Sequence, residues 1–290
     1  MSTTAALALG LTGLLLIPAW VMAVAGGGRG TGARPPWDWG LSLRSALAYA
    51  LAFNLVFLVQ ELFLVIPKAL TPGLKPTLFH NNHHWSGHHP LEPLFQGTGA
   101  AATVVLAGLC ALWLARRPPG SATLRLLVTW TVFHGLMEAL PQAVVGAVFP
   151  GNDVGMAMDY FRMARAAKVA AALAAILAIA FAARWIAARL RALAPDVAGP
   201  ALMLRLALLP AAAGVLIILP FRVPGAIDQV AIVPVAVALI GASWLQAWAG
   251  RVAPAGAPPV RPGSLWTLVA AGLVMLAVFQ GVLRPGIPFY

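Results

Sequence analysis

The chain has 290 residues, of which 61% are hydrophobic and only 9% are charged, and its mean hydropathy is +0.87. A soluble domain carries about 25% charged residues, so this composition excludes an ordinary soluble enzyme, a disordered chain and a fibrous repeat, and it indicates a polytopic membrane protein. The net charge of +11 sits in short basic clusters between apolar stretches. That distribution is typical of topology-determining loops and lipid contacts, and no nucleic-acid partner is expected.

Eight apolar segments are long enough, or nearly so, to cross roughly 30 Å of hydrocarbon. They lie at about 4–26, 45–67, 98–115, 126–149, 169–188, 202–221, 229–250 and 264–283. The sequence therefore predicts an all-α fold, a single integral membrane domain over residues 1–290 built as a transmembrane helix bundle of seven to eight spans. The first segment is predicted to be a retained helix, because no Lys or Arg precedes it as one would in a signal peptide.

Two of the connections are long and carry much of the polar chemistry. Residues 71–97 form a His-rich loop with five of the six histidines, and residues 150–165 form a loop that carries Asp153 and Asp159. Both loops are predicted to lie on one side of the membrane. Most Lys and Arg lie in the loops of the other side, so the positive-inside tendency predicts a bacterial-type inner membrane protein whose His-rich side is periplasmic.

The His-rich loop carries the strongest chemical signal. Its five histidines, His80, His83, His84, His88 and His89, fall within ten residues. Neutral imidazole is the commonest protein ligand for zinc, iron and copper, and a helical turn would place the first three side chains near one another. The loop is therefore predicted to bind a metal ion, and the alternative is a solvated, pH-sensitive histidine loop.

An ionisable residue also lies inside the second apolar segment. Glu61 is spaced by seven residues from both Asn54 and Lys68, so the three share one helix face. A carboxyl group in lipid is costly and marks a functional site or a paired charge. Glu61 is predicted to be catalytic, and the alternative is a structural ion pair with Lys68 or with an Arg of another helix.

The fourth apolar segment carries a polar stripe of Thr131, His134, Glu138 and Gln142 at spacings of three and four. His134 and Glu138 lie four residues apart, so they can bind one metal ion together or act as a coupled acid–base pair. The alternative is a hydrogen-bond network that only holds helices together.

These features predict one polar site that combines catalytic residues, metal ligands and supporting side chains. The predicted catalytic residues are Glu61, His134 and Glu138. The predicted metal ligands are His80, His83, His84, His88, His89, His134 and Glu138. The predicted supporting residues are Asn54, Asn82, Gln142, Asp153 and Asp159.

The expected cofactor is a divalent transition metal. Iron is favoured over zinc, and copper is less favoured because the three methionines at 156, 158 and 163 are more typical of packing. Cys110 is the only cysteine, so a thiolate cluster is excluded.

The run His80-Asn81-Asn82-His83-His84 has the form H-x-x-H-H and resembles one histidine box of the membrane fatty-acid desaturases and hydroxylases. That resemblance implies a di-iron centre with His80, His83 and His84 among its ligands. The run from Phe133 to Glu138 is similar to the intramembrane His/Glu element of the sterol isomerase family, which implies acid–base chemistry by His134 and Glu138.

The sequence thus favours a membrane-embedded, metal-dependent enzyme, an oxidoreductase or hydrolase that acts on a lipid-like or other apolar substrate. A metal-ion or proton-coupled transporter is the second interpretation, because intramembrane ionisable residues also form ion pathways. A metal-free His/Glu isomerase and a membrane assembly subunit remain as the third. The oligomeric state is left open.

Overall fold

The structure is a computed structural model that describes residues 13, 15–22, 24, 36–256 and 258–290, with the backbone alone at residue 228. Residues 15–22 are helical, and helix dominates the rest of the described chain, as the predicted all-α class requires. The helices are α1 (Trp39–Ala69), α2 (Glu92–Phe95, then Thr98–Arg116), α3 (Ala122–Val148), α4 (Asp153–Tyr160), α5 (Arg165–Arg191), α6 (Gly199–Arg222), α7 (Gln229–Trp248) and α8 (Leu265–Leu283).

Six of these helices are long and apolar enough to cross a membrane, namely α1, α2, α5, α6, α7 and α8. Helices α3 and α4 meet at a bend of 59° and give a seventh candidate span if they are counted as one. Seven of the eight predicted segments therefore coincide with described helices. The eighth, at about 4–26, lies largely outside the described residues, so a membrane-type bundle with six to seven candidate spans is established and a count of eight is not.

Helix α1 is the central element of the bundle. It packs against α2, α3 and α6. Of an apolar 18-residue stretch of α1, 61% is buried inside the protein, against 11% of the corresponding stretch of α8. Between α1 and α3 lies an aromatic core in which the ring of Tyr49 meets those of Trp130 and Phe133 at centroid distances of 5.0 and 5.8 Å. Polar residues on the facing sides of α1 and α3 are consequently held in the interior rather than against lipid.

A small antiparallel sheet covers one end of the bundle and was not predicted. Its strands are β1 (Lys75–Leu78), β2 (His83–Ser86) and β3 (Ile287–Pro288), in the order β2-β1-β3. Strands β1 and β2 form a hairpin in which the amide of Phe79 donates to the carbonyl of Asn82 at 2.8 Å.

This hairpin corrects the expectation of a helical turn at residues 80–84. Side chains alternate between the two faces of a strand, so His83 and Trp85 of β2 are partly buried while His84 and Ser86 are exposed. The H-x-x-H-H spacing therefore does not place its three imidazoles side by side.

Candidate active site

A polar cavity of about 470 Å³ lies between the hairpin and the ends of the central helices. Three apolar side chains, Phe57, Val233 and Val237, form part of its wall. The remaining lining is almost entirely polar or charged: Gln60, Glu61, Asn81, Asn82, His83, Trp85, Gln96, Glu138, Gln142, Asn152, Asp153, Arg222 and Gln229. Such a concentration of polar groups in an apolar bundle marks a candidate functional site.

The closest ionisable pair in the cavity wall joins helix α1 to the hairpin. His83 Nδ1 lies 2.7 Å from Glu61 Oε2, and the two side chains are only 9% and 8% exposed. Glu61 is presented by α1, whereas His83 is presented by the inward face of β2. The strand alternation therefore selects one histidine of the run for the interior.

Lys68 contacts the second ring nitrogen of His83. Its Nζ lies 3.3 Å from His83 Nε2 and donates to the carbonyl oxygen of Leu64 at 2.8 Å and to Gln96 Oε1 at 3.0 Å. Lys68 is fully buried, and its ammonium lies 4.5 Å from the ring centroid of Trp85, which in turn stacks on His83. The hairpin is thus tied to α1 through a continuous set of polar contacts.

Helix α3 supplies a second polar edge of the cavity. Gln142 Nε2 donates to Gln60 Oε1 at 3.2 Å and to the carbonyl oxygen of Glu138 at 3.0 Å, and all three residues line the cavity. The contact between the two glutamines links α3 to α1 beside Glu61.

His134 lies one turn from Glu138, in the aromatic core. Its Nδ1 is 3.1 Å from Glu138 Oε1, yet these atoms are not aligned for a hydrogen bond, and both ring nitrogens lack a partner within the described part of the chain. The imidazole is fully buried against the rings of Tyr49, Phe53 and Phe133. Burial of an unsatisfied polar group costs about 1–3 kcal/mol, so the burial of His134 and Glu138 lowers the stability of the folded protein.

Arg222, at the end of α6, is a buried cation in the cavity wall that the sequence analysis missed. Its guanidinium carbon lies 4.0 Å from the ring centroid of Phe57 and 5.5 Å from that of Phe53, and its Nε donates to the carbonyl oxygen of Gln229. Asn81 Nδ2 donates to the carbonyl oxygen of Arg222 at 3.2 Å, which ties the hairpin turn to α6.

The other histidines of the loop do not line the cavity. His80 is buried beside the hairpin turn, where burial lowers its pKa. His84 is exposed, and His88 is fully exposed with its Nδ1 3.6 Å from Glu92 Oε2. His89 Nδ1 accepts a hydrogen bond from the amide of Leu91 at 3.2 Å.

Some of the predicted supporting residues line the cavity and others do not. Asn82, Gln142 and Asp153 line the cavity. Asn54 is buried in α1 and donates to the carbonyl oxygen of Ala50, but it is absent from the cavity lining. Asp159 is half exposed and pairs with Lys168 on the outside of α4.

The structure does not bring the seven predicted metal ligands together. Among the described residues, no group of three or more His, Cys, Asp or Glu side chains is arranged to hold a metal ion. His83 is paired with Glu61, His134 lies beside Glu138 without a hydrogen bond, and the other four loop histidines lie outside the cavity lining. Of the seven predicted ligands, only His83 and Glu138 line the cavity.

Several contributors to the site were not identified as such in the sequence, among them Arg222, Gln96, Trp85 and Lys68, the last considered only as a structural partner of Glu61. Lys68 and Arg222 each directly follow an apolar segment, and a charge at such a position is a signal that could have pointed to them. Gln96 and Trp85 carried no comparable signal, because amides and aromatic residues are common in loops near a membrane surface.

The arrangement is chemically capable of moving a proton. A carboxylate and an imidazole at 2.7 Å form an acid–base pair, and the cavity beside them is large enough for a small polar group. Comparison of this chain with models of known protein families, with curated proteins and with solved structures gave no match in any of the three searches.

Proposed function

We propose that this chain is a membrane-embedded enzyme that performs acid–base chemistry on a lipid-like substrate, with Glu61 and His83 as the reacting pair. The observation that carries the proposal is the 2.7 Å contact between His83 Nδ1 and Glu61 Oε2 in the wall of a polar cavity. Ionisable groups inside a membrane bundle are costly and mark functional sites. A pair that only joined helices would not require the 470 Å³ cavity beside it.

The lining of the cavity supports an amphiphilic substrate. The amides of Asn82, Gln142 and Asn152 offer donors and acceptors for a polar head group, while Phe57 and Val237 provide apolar surface. Binding sites of this kind fix orientation with a few polar groups and gain affinity from apolar contact. A substrate that enters from the bilayer with its polar end in the cavity fits this lining.

The test compares lipid extracts of membranes that contain the wild type, Glu61→Gln or His84→Ala. Glu61→Gln keeps the shape of the side chain but removes the carboxylate, so a product formed by the wild type is expected to disappear. His84→Ala changes a neighbouring exposed histidine and is expected to leave the product unchanged. A solute that is redistributed across the membrane without chemical change, in a manner abolished by Glu61→Gln, would instead establish a transporter.

A metal-dependent form of the same enzyme is the second candidate, with iron favoured over zinc and a di-iron-type hydroxylase or desaturase as the specific form. Four potential donor side chains line one cavity, Glu61, His83, Glu138 and Asp153, although no three of them are arranged around a common point in the described structure, and Arg222 is the one cation among the lining residues. An excess of carboxylates favours a bound cation, and mixed imidazole and carboxylate ligands suit iron and zinc. The ion would supply Lewis-acid or redox chemistry next to these residues.

Metal analysis of protein purified without a His-tag tests this second candidate. The metal-dependent form is expected to contain a metal that His83→Ala removes and that His84→Ala retains. A content below about 0.2 metal ions per chain in the wild type would contradict it while leaving the acid–base proposal intact.

We also propose that the hairpin side of the protein faces the periplasm of a bacterial-type inner membrane, as the distribution of Lys and Arg favours. The test places single cysteines in a Cys110→Ala background. His88→Cys, on the hairpin side, is expected to react with a membrane-impermeant maleimide in intact cells. Arg117→Cys, at the opposite end of α2, is expected to react only after the membrane is opened, and the reverse pattern would invert the orientation.

A further inference from the structure

We infer that Lys68 is a positioning residue: its ammonium holds His83 as the neutral tautomer with the proton on Nδ1, so that Glu61 rather than His83 exchanges protons with the substrate. The part that concerns the substrate rests on the proposed function. The tautomer is a property of the resting protein and is measurable without a substrate.

The argument begins with the donors and acceptors around Lys68. A lysine ammonium has three N–H donors and no acceptor. Its three polar neighbours are the carbonyl oxygen of Leu64 at 2.8 Å, Gln96 Oε1 at 3.0 Å and His83 Nε2 at 3.3 Å. Facing an ammonium, His83 Nε2 has to accept, and in a neutral imidazole the proton then resides on Nδ1.

The other side of the imidazole agrees with this assignment. A protonated Nδ1 donates to Glu61 Oε2, and the separation of 2.7 Å is at the short end expected of a hydrogen bond to a charged acceptor. The ring of Trp85, with its centroid 4.5 Å from Lys68 Nζ, lies at the distance of a cation–π contact with the ammonium. Carboxylate, neutral imidazole and ammonium thus form one consistent chain.

This chain decides which group is available to a substrate. Both nitrogens of His83 are engaged, Nδ1 with Glu61 and Nε2 with Lys68. Glu61 lines the cavity and contacts His83 through Oε2, so its second oxygen is the one left to receive or return a proton. Lys68 acts through His83 to orient this carboxylate, and it does not itself line the cavity.

The test is nitrogen NMR of the protein labelled with ¹⁵N-histidine and reconstituted in lipid bilayers. The resonances of His83 are identified by their loss in His83→Gln. We expect a protonated Nδ1 and an unprotonated Nε2. Protonation of Nε2, either alone or together with Nδ1, would overturn the inference, because Lys68 would then not be donating to that nitrogen.

Two variants separate positioning from general stabilisation. Lys68→Met removes the donor to Nε2, and the Nδ1-protonated form is expected to lose its majority. Gln96→Met removes another contact of the same ammonium while leaving Lys68 next to His83, so the wild-type tautomer is expected to persist. An unchanged tautomer in Lys68→Met, or an equal change in both variants, contradicts the inference.

The outcome remains decisive if Lys68→Met does not fold, because the wild-type tautomer alone can refute the assignment. It is also separable from the proposed function. A product that persisted in Glu61→Gln would contradict the enzyme proposal and leave the tautomer assignment standing. A wrong tautomer would overturn this inference and leave the product analysis unaffected.

Discussion

His83 and His84 are consecutive residues that lie on opposite faces of strand β2: His83 Nδ1 is 2.7 Å from Glu61 Oε2, whereas His84 is exposed. One peptide unit therefore separates a residue of the cavity wall from a residue of the outer surface. The two positions form a matched pair for experiments, since they share residue type and strand and differ in the face on which they lie.

The first prediction compares alanine at these two positions. His83→Ala leaves the carboxylate of Glu61 and one donor of Lys68 without their partner, and it is expected to reduce the free energy of unfolding by about 1–3 kcal/mol. His84→Ala is expected to change it by less than about 0.5 kcal/mol. Denaturation of the detergent-solubilised protein measures both values, and equal effects would show that the hairpin does not dock through His83.

The second prediction concerns the unsatisfied His134. His134→Leu fills the aromatic pocket with an apolar side chain and removes two buried nitrogens that lack a partner in the described structure. The thermal denaturation midpoint is expected to stay the same or rise, because the variant no longer buries these nitrogens without a partner, which costs about 1–3 kcal/mol. A clear drop in the midpoint would instead show that His134 makes a stabilising contact.

A third prediction tests the close contact of α2 with α3. A Cβ added at Gly135 would lie 2.6 Å from the carbonyl oxygen of Thr103 and 2.9 Å from Ala107 Cβ. Gly135→Ala is therefore expected to lower the free energy of unfolding by about 1–3 kcal/mol through overpacking.

The control for this contact is Gly108→Ala on the exposed side of α2. No described atom lies within 4 Å of the added methyl group at that position, and alanine is the better helix former by about 1 kcal/mol. The control variant is expected to be as stable as the wild type or slightly more stable. Similar losses at both glycines would contradict the close packing of the two helices.

The fourth prediction is a pH dependence that originates at His80. Burial is the largest cause, and it lowers the pKa from the ordinary 6.5. Backbone contacts with Pro224 and Arg222 oppose this decrease in part, and the charges of Arg222 and Arg284 add to it. As the pH falls through about 6.5 toward the lower folded pKa, the unfolded chain binds a proton before the folded one does. Stability is therefore expected to decrease with falling pH across that window and to be constant with respect to this group above it.

His80→Asn removes the titrating group and provides the check. The fall in denaturation midpoint between about pH 7.5 and about pH 5.5 is expected to be smaller in this variant than in the wild type. His84→Ala is expected to keep the wild-type difference. An undiminished fall in His80→Asn would assign the acid sensitivity to other groups.

The sequence was sufficient to locate the candidate membrane-spanning helices that the structure describes. An apolar run of about 20 residues has few alternatives in lipid, because its backbone groups have to be paired internally. Seven predicted segments coincide with candidate spans or with the bent α3–α4 pair on that basis. Glu61 and Glu138 were also identified correctly as interior polar residues, since a carboxyl group in such a run has to face the bundle.

The site could not be predicted in the same detail because its geometry depends on the hairpin. The spacing in H-x-x-H-H is compatible with a helix or a strand. A helical turn would place His84 near His80 and His83, whereas the strand turns His84 to the face opposite His83. His83 and His84 lie in a strand because β2 pairs with β1 across the turn at residues 79–82. Strand β1 pairs on its other side with β3, which lies some 200 residues further along the chain. Pairing over such a separation leaves no local pattern. Arg222 reaches the cavity for the same reason, through packing of α6 against α1.

The pairing of β3 with β1 also has a consequence for biosynthesis. Ile287 and Pro288 pair with Leu78 and Thr77 of β1, and the amide of Phe289 donates to the carbonyl oxygen of Pro76 at 3.0 Å. These residues follow α8, so the three-stranded sheet is complete only after α8 has been synthesised. Completion of the sheet therefore joins a segment made before α2 to a segment made after α8.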